Sequence, residues 1–322
     1  MQWSGDLQAI ALPRRTPPVA VTQGMGYRRR RMNQLATPAE LSLPLTARHA
    51  ILEFKADLSF GERNRQAVDD LIEGSRLWRL SCALAWLDIG LRYRGSMLGP
   101  FWLTLSTGIM VAMLGFLYAK LFKMDLQTYL PFLALSQVLW AFMGTVVAEA
   151  CTTYIDMVGI IRSVRMPMSV FAMRTIVRNV LVLAHNIVVI VVVFAIFRVW
   201  PGWHAILAIP GLFLWLVVSL SLTMLLGSLC ARFRDIAPIV NSLMQIAFFI
   251  TPVIWRPEQL GDYQYLLPFN PFYNLLEVVR APLLGEHVAT TTWLIALGFS
   301  VGVCTLSWLF FIRARGRLAF WV

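Results

Sequence analysis

The stretch at residues 179–197, NVLVLAHNIVVIVVVFAIF, contains no Asp, Glu, Lys or Arg. It reaches the roughly 20 apolar residues that an α-helix needs to cross about 30 Å of hydrocarbon. In lipid the backbone must satisfy its own hydrogen bonds, so a run of this length predicts a helix. Five further runs share these properties, and together they predict an all-α membrane protein with six transmembrane helices. The further runs are residues 95–119, 126–148, 199–231, 236–255 and 287–312.

The overall composition agrees with a membrane protein and argues against a soluble one. Hydrophobic residues make up 58% of the chain and charged residues 14%, and the mean hydropathy is +0.66. A single soluble core could not hide so much apolar surface. The four cysteines stand apart without a CxxC spacing, so we expect inert thiols and no metal site. They are Cys82, Cys151, Cys230 and Cys304.

The net charge is +11, and the basic residues are unevenly distributed among the connections. Arginines concentrate before the first predicted span and after the second, fourth and sixth; Lys120 and Lys123 are the exceptions. By the positive-inside rule this predicts that both termini are cytoplasmic and that the connection at 256–286 is extracytoplasmic. The arginines on the cytoplasmic side would be Arg76, Arg79, Arg92, Arg94, Arg162, Arg165, Arg232, Arg234, Arg313, Arg315 and Arg317.

Three regions lie outside the predicted spans. Residues 1–75 are polar, and we expect a cytoplasmic, largely disordered extension in which 53–71 could form one short helix. Residues 76–93 carry leucines at every third or fourth position between charged residues, which predicts an amphipathic helix in the membrane interface. Residues 263–284 are apolar but interrupted by prolines, so we expect a short re-entrant helical hairpin between spans five and six.

The segment that leads into the first predicted span resembles a known family. It reads DIGLRYRGSMLGPFW at residues 88–102. This is similar to the corresponding segment of ABC-2 type permeases that export polysaccharides such as O antigen, capsule and teichoic acid. The resemblance implies that residues 76–322 form an ABC-2 transmembrane domain. Further similarities are the loop at 160–168, ARFRDI at 231–236, TPVIW at 251–255 and RLAFWV at 317–322.

The lead-in segment (residues 88–102) contains the residues expected at the point of substrate access. Arg92 and Arg94 would lie at headgroup level, where they either bind the pyrophosphate of a lipid-linked sugar or anchor the chain in the interface. Gly99 and Pro100 allow the chain to turn sharply into the span. Trp102 is either an anchor in the aromatic belt or a platform on which a sugar stacks.

We expect no ATPase in this chain, because a P-loop requires Lys directly after Gly. None of the lysines, Lys55, Lys120 and Lys123, follows a glycine. No cofactor is therefore expected on this chain. The resemblance implies a separate P-loop nucleotide-binding subunit that holds ATP and Mg²⁺, and a complex with two copies of each subunit.

The loop at 160–168 would couple ATP hydrolysis to movement of the helices, according to the same resemblance. Arg162 and Arg165 could pair with an acidic rim of the ATPase, while Ile161 and Val164 fill apolar contacts. Ile161→Asp is then expected to separate ATP hydrolysis from export without preventing insertion. The expected coupling residues are Ile160, Ile161, Arg162, Val164, Arg165 and Pro167.

The outer hairpin is expected to carry a gate. Asn270, Pro271, Glu277 and Arg280 match the family in this region. Glu277 and Arg280 stand three residues apart, so they can pair on one helix face. That pairing would be as consistent with a structural role as with a functional one.

Charged residues close to the spans also need partners. Glu149 follows the second predicted span, and Arg174 and Arg178 precede the third. Ionisable groups at membrane depth usually pair with one another or face a wet cavity. We therefore expect Glu149 to pair with Arg174 or Arg178, with a direct role in substrate binding as the alternative.

The predicted function is that of a homodimeric permease in the bacterial inner membrane, exporting a lipid-linked polysaccharide. One alternative is an ABC-2 exporter of another lipid or small molecule. A polyprenyl-phosphate glycosyltransferase usually needs clustered carboxylates for Mg²⁺, whereas Asp88, Asp156 and Asp235 stand apart. A secondary transporter usually shows internal repeats, and none is evident. Nucleic-acid binding is disfavoured because the positive charge follows the membrane topology.

Overall fold

A computed structural model describes residues 59–99 and 101–322, and in this part of the chain the regular elements are helices. The predicted all-α class is thereby confirmed. Two 3-10 segments, Gly202–Leu207 and Pro257–Phe269, precede the seventh and ninth α-helices. The α-helices are α1 (Phe60–Arg76), α2 (Trp78–Arg92), α3 (Phe101–Leu121), α4 (Leu126–Thr152), α5 (Val158–Ser163), α6 (Met168–Phe197), α7 (Ala208–Arg232), α8 (Ile236–Ile250), α9 (Pro271–Leu284) and α10 (Thr290–Trp321).

Five elements are long and apolar enough to cross a membrane: α3, α4, α6, the stretch Gly202–Arg232 that includes α7, and α10. The remaining predicted span forms α8, which has only 15 residues and is about 22 Å long at 1.5 Å per residue. It ends at Ile250 because Thr251 is extended, with ψ 137°, and Pro252 disfavours helix in the residue before it. The described residues therefore contain five helices that could cross a membrane, and the predicted count of six is not confirmed.

Helix α4 occupies the centre of the bundle. In its most apolar stretch 83% of residues are buried, against 17–33% in the other four spans, and it packs against α3, α6, α7, α8 and α9. Phe142 of α4 stacks on Trp215 of α7 with ring centroids 5.8 Å apart. The Trp215 indole donates a 2.6 Å hydrogen bond to the Leu275 carbonyl of α9. The hydrogen bond satisfies a buried polar group, and together with the ring stacking it joins α4, α7 and α9.

Helix α1 is a well-defined element among the described residues. Its first turn is a capping box in which the Ser59 hydroxyl accepts from the Glu62 amide and the Glu62 carboxylate accepts from the Ser59 amide. It packs against α6 and α10. The boundary predicted after residue 75 thus falls at the end of an ordered helix. The disorder predicted for residues 1–75 is therefore wrong where α1 stands, and for residues 1–58 the prediction lies outside the described residues.

The predicted amphipathic segment forms α2, which packs against α6. Its buried face consists of Ser81, Ala85 and Ile89. The opposite face exposes Trp78 and Trp86, at 58% and 67%. Small side chains thus allow close packing on the protein, while tryptophans point away from it, as is typical of a helix in the headgroup region.

Two short elements connect α8 to α10. The 3-10 segment Pro257–Phe269 comes first, and α9 follows it. The Asn270 side chain accepts hydrogen bonds from the Phe272 and Tyr273 amides, and Pro271 takes the first helical position. Helix α9 ends at Leu284, and the following residue, Gly285, has φ +80°, a conformation that glycine adopts without strain. The predicted hairpin is thus a 3-10 segment followed by a helix, and its re-entry into the membrane stays a prediction.

Candidate functional site

Charged side chains from α2, α4 and α6 meet in one network, which we call the arginine cluster. Asp88 accepts from Arg174 at 2.5 Å and from Arg178 at 3.2 Å. Glu149 accepts from Arg178 at 2.7 Å and from Arg92 at 3.2 Å. The spacing of four residues between Asp88 and Arg92, and between Arg174 and Arg178, places each pair on one helix face. Packing of α2 and α4 on α6 then brings all five together.

The arginine cluster carries three arginines and two carboxylates, and so has one positive charge in surplus. The side chains of Arg174 and Arg178 are only 6% and 10% exposed, whereas that of Arg92 is 49% exposed. Burying an ion costs several kcal/mol unless it is paired and hydrogen-bonded. The Asn179 amide adds a 2.6 Å hydrogen bond to Glu149. The buried members are therefore satisfied by one another, and the surplus charge is available to solvent at Arg92.

The predicted pairing of Glu149 is confirmed for Arg178. Arg174 instead binds Asp88, to which the sequence assigned no partner. The available signal was the spacing of Asp88 and Arg92 on α2, which places an acid and a base on the same helix face. What the spacing could not show is that this face of α2 lies against α6.

The other predicted substrate-access residues lie outside the arginine cluster. Arg94 is exposed in the turn between α2 and α3. Gly99, in the same turn, has φ +55°, which explains why glycine occupies this position. Trp102 is 53% exposed in the first turn of α3. Pro100 lies outside the described residues. Arg92 alone among the described access residues joins the charged network.

Two of the predicted coupling residues are covered by this chain itself. Ile161 is 8% exposed and packs in a core with Phe311 and Leu318 of α10. Pro167 is buried at the start of α6. The expectation that the Ile161 side chain reaches into a partner therefore needs correction, because α10 already fills that contact. A hydropathy pattern cannot distinguish an apolar residue buried by its own chain from one buried by a partner.

The rest of the coupling loop, residues 160–168, presents an exposed surface on which a partner could dock. Val164 is 51% exposed, and Arg162 and Arg165 are also exposed. Ile160, in the helix α5, is half-buried. The Arg162 guanidinium donates to the main-chain oxygen of Val322 after α10. The loop is thus fastened to α10 on one side and presents basic and apolar groups on the other.

Asp70 on α1 is a residue that sequence reasoning missed. It is 2% exposed and accepts from the amides of Met168 and Ser169 at 3.1 and 3.0 Å. Its other partner is Arg315 of α10, at 2.7 Å. Asp70 thus supplies the cap of α6 directly after the coupling loop. One signal existed: Asp70 stands four residues before Gly74, so an acid shares the small-residue face of α1.

A second buried charged site, which we call the Arg280 anchor, joins α9 to α4 and to the segment after α8. Arg280 is 1% exposed. It donates to Glu277 at 2.5 and 3.0 Å, to the Ser136 hydroxyl at 3.0 Å and to the Pro252 carbonyl at 2.5 Å. Its guanidinium also lies 4.5 Å from the ring centroid of Phe132. The predicted pairing of Glu277 with Arg280 is confirmed.

The remaining predicted gate residues lie beside the Arg280 anchor. Asn270 donates a 2.9 Å hydrogen bond to the Thr251 hydroxyl, and Pro271 begins α9. The Tyr129 hydroxyl donates to the Ile254 carbonyl at 2.5 Å. The segment that follows α8 is therefore held at several points, although it has no regular hydrogen bonding of its own.

An apolar cavity of about 620 Å³ runs along α8. Every residue of α8 is at least partly exposed. The lining also includes side chains of other helices, such as Leu222 of α7, Phe272 of α9 and Phe299 of α10. The lining is apolar apart from Asn270. It suits hydrocarbon rather than a sugar.

Comparison with known proteins assigns the family. A model of the ABC-2 type transporter family matches residues 79–284. The O-antigen export system permease protein RfbA of Myxococcus xanthus is 25% identical over 205 residues, which cover 63% of this chain and 79% of that protein. Two Klebsiella pneumoniae proteins with the same name are each 20% identical over 59% of this chain and 74% of their own length. The matched region contains the arginine cluster, the coupling loop and the Arg280 anchor, and the chain belongs to the ABC-2 type transporter family of multi-pass membrane proteins.

Proposed function

We propose that this chain is the transmembrane subunit of an ATP-driven exporter that moves a lipid-linked polysaccharide across a bacterial inner membrane. The observation that carries the proposal is the match to three relatives, each named an O-antigen export system permease, over 59–63% of the chain. The lipid carrier and the direction of transport are part of the proposal. The arginine cluster supports it independently, because it offers a cationic site to an anionic headgroup.

The proposed role of Arg92 is to bind the pyrophosphate that joins lipid to polymer. Arg94 is exposed two residues away, and guanidinium groups match phosphate oxygens in charge and geometry. Partial burial raises the pKa of Tyr93, which lies between the two arginines, against the opposing effect of Arg92. While Arg92 engages the ligand, Arg178 continues to hold Glu149, and the network stays intact.

The proposed energy source is a P-loop nucleotide-binding subunit that binds ATP and Mg²⁺. It would dock on the exposed side of the coupling loop, at Arg162, Val164 and Arg165. Closure of two such subunits on ATP would push α5 and move the attached helices as rigid bodies. Membership of the ABC-2 family supports an ABC ATPase as partner.

Val164→Asp tests this docking surface. Because Val164 is 51% exposed, the variant is expected to fold and insert, yet to lose co-purification with the ATPase and most of the polymer export. Val164→Ala is the matched control and should retain both. Ile161→Asp, in contrast, places a carboxylate in a core and should destabilise the permease by several kcal/mol. Wild-type export and co-purification by Val164→Asp would contradict the docking assignment.

We further infer a homodimer in which α3 and α8 face the second copy. Helix α8 exposes Leu243 and Phe249, at 57% and 71%, and α3 exposes Met113 and Phe116, at 71% and 61%. Apolar faces of this kind pack against lipid or another copy, and two copies would enclose a conduit. Cross-linking of cysteines introduced at Leu243, with bifunctional reagents of several lengths, tests the arrangement: a cross-linked dimer is expected, and its absence at every length in a functional complex would exclude it.

The proposed topology has both termini in the cytoplasm and six crossings. Helix α8 would be the fifth crossing. The segment at 251–255, which hydrogen bonds hold to the neighbouring helices, would continue it to the outer surface. The 3-10 segment and α9 would form the hairpin that dips into the outer leaflet. Labelling of single cysteines with a membrane-impermeant reagent tests this topology. A cysteine at Asp262 is expected to react in intact cells, and one at Arg317 only after permeabilisation.

The decisive experiment is purification of tagged permease in mild detergent, with mass spectrometry of the proteins and lipids that co-elute. A stoichiometric P-loop ATPase and a lipid-linked glycan are the expected result. A second candidate function, export of another lipid, is favoured by the apolar cavity along α8. In that case the ATPase would co-elute with a lipid that carries no polymer. A folded permease that elutes without any ATPase would overturn both.

A further inference from the structure

Asp70 joins three elements that the sequence separates widely. Its carboxylate accepts from the Met168 and Ser169 amides, from the Ser169 hydroxyl at 2.8 Å, and from Arg315. The first amides of a helix have no partner within the helix, so this carboxylate satisfies the start of α6. Gly74, one turn later on α1, lies so close to α6 that an added Cβ would come within 2.0 Å of the Ser169 hydroxyl. The position of α1 is therefore tightly defined relative to α6.

The coupling loop is also connected to the last turns of α10. Arg162 donates to the main-chain oxygen of Val322. Ile161 shares a core with Leu318. Displacement of the coupling loop would thus act on α10 as well as on α4 and α6, the helices that the loop directly connects.

Helix α10 can carry such a displacement across the membrane. Its 32 residues form a rod of about 48 Å, and it packs against α9, which holds the Arg280 anchor. Asp70 links the start of α6 to α10, because the carboxylate that caps α6 also accepts a charge-assisted hydrogen bond of 2.7 Å from Arg315. Charge-assisted hydrogen bonds of this kind are among the stronger polar contacts in proteins.

We propose that Asp70 and Arg315 are positioning residues that transmit movement of the coupling loop to α10, so that α1 is part of the energy-coupling machinery. The inference rests on the proposed function and extends it to a helix that precedes the family match. Neither residue touches substrate or nucleotide in this account. Their effect is on the coupling between ATP hydrolysis and transport.

The test measures polymer exported per ATP hydrolysed, with permease and ATPase partner reconstituted in liposomes. Asp70→Asn keeps an oxygen for one amide of α6 but removes the charge that binds Arg315. Arg315→Gln removes the ion pair and leaves the cap intact. Each variant is expected to lower the amount of polymer exported per ATP roughly tenfold. A change of this size corresponds to a coupling free energy within the usual range. Arg315→Lys keeps the charge and should retain more coupling than Arg315→Gln.

Matched controls separate coupling from stability. Asp69→Asn and Arg317→Gln make the same charge changes at neighbouring exposed positions and should leave the ratio unchanged. A purely structural role for Asp70 would lower the yield or the melting temperature while each folded complex exported the same polymer per ATP. That outcome, in either test variant, would overturn the inference.

The remaining outcomes also decide between the proposals. If Asp70→Asn fails to insert, Arg315→Gln carries the test, because the cap of α6 is intact in that variant. A working wild-type complex with an unchanged ratio in Arg315→Gln overturns this inference alone. A wild-type complex that hydrolyses ATP but exports no polymer overturns the proposed function, together with the inference that depends on it.

Discussion

The arginine cluster and the Arg280 anchor are two buried charged sites with opposite designs. In the anchor, one arginine meets one carboxylate, and the remaining donors reach the Ser136 hydroxyl and the Pro252 carbonyl. Arg280 is 1% exposed. In the cluster, three arginines meet two carboxylates, and Arg92 is half-exposed. The anchor is thus closed and balanced in charge, whereas the cluster is open and carries a surplus.

This difference separates a structural site from a candidate binding site. A balanced, closed ion pair holds the surrounding backbone in one arrangement, since removal of either partner leaves a buried charge. A cluster with surplus charge at its exposed edge can accept an anion without losing its internal pairs. The burial of a charged group therefore indicates little about its function until the balance of charges around it is known.

The largest effect is expected from breaking the anchor with Arg280→Met. The variant leaves Glu277 without its partner and releases the Pro252 carbonyl, so a loss of about 3–5 kcal/mol in the free energy of unfolding is expected. The readouts are yield and thermal unfolding in detergent. Arg256→Met is the matched control, since its guanidinium lies 5.0 Å from the same Phe132 ring, and it should cost less. Equal stability of Arg280→Met and wild type would show that the anchor does not hold the fold.

The double variant Arg280→Met with Glu277→Leu sharpens this result. Removing both charges eliminates the unpaired carboxylate, so part of the lost stability should return. If the double variant is as unstable as the sum of the two single variants, the hydrogen bonds to Ser136 and Pro252 matter more than the ion pair.

The intermediate effect is expected from Arg92→Gln at the open cluster. A half-exposed ion pair contributes at most about 1 kcal/mol to stability, so the melting temperature should change little. Loss of a charge-assisted contact to phosphate should lower the export rate at limiting substrate roughly tenfold. Arg79→Gln, an exposed arginine on the same helix, is the control and should export normally. A large loss of stability with normal export per folded molecule would assign the cluster a structural role instead.

The smallest effect concerns pH and the acids near the Arg280 anchor. Partial burial, and then the charge of Glu277, raise the pKa of Glu286 above its ordinary 4.5. A carboxyl whose pKa is raised by folding contributes stability at low pH, and this contribution is lost as the pH rises through the raised pKa. Glu286→Gln should therefore be slightly more stable than wild type at pH 7.5 and equal to it at pH 4.

The difference in stability between Glu286→Gln and wild type should be small, because Glu286 is only partly buried and solvent screens its charge. Asp262→Asn changes an exposed acid in the same connection and should show no such pH dependence. Thermal unfolding across pH 4 to 8 measures both variants. A Glu286→Gln variant that is less stable than wild type at pH 7.5 would mean that the ionised carboxylate makes a favourable contact instead.

Five of the six apolar runs form helices long enough to cross a membrane, because this capacity depends on a local property, the length of an uncharged run. The run at 236–255, which forms the shorter α8, shows the limit of that property. Hydropathy counts Pro252 and the residues after it as part of the run, whereas the backbone leaves the helix at Thr251. The pairing of Glu149 with Arg178 could also be anticipated, since a short connection between neighbouring helices keeps their adjoining ends close together.

The sequence by itself determined that the chain is a multi-pass helical protein, which segments are apolar, and which motif resembles the ABC-2 family. Only the tertiary structure decided which charged groups are closed and which remain open. Asp70 caps an amide 98 positions away and binds an arginine 245 positions away, and Ile161 is covered by α10 rather than by a partner. Local patterns specify the elements because their hydrogen bonds and apolar faces are local, whereas charge balance and burial depend on which distant elements pack together.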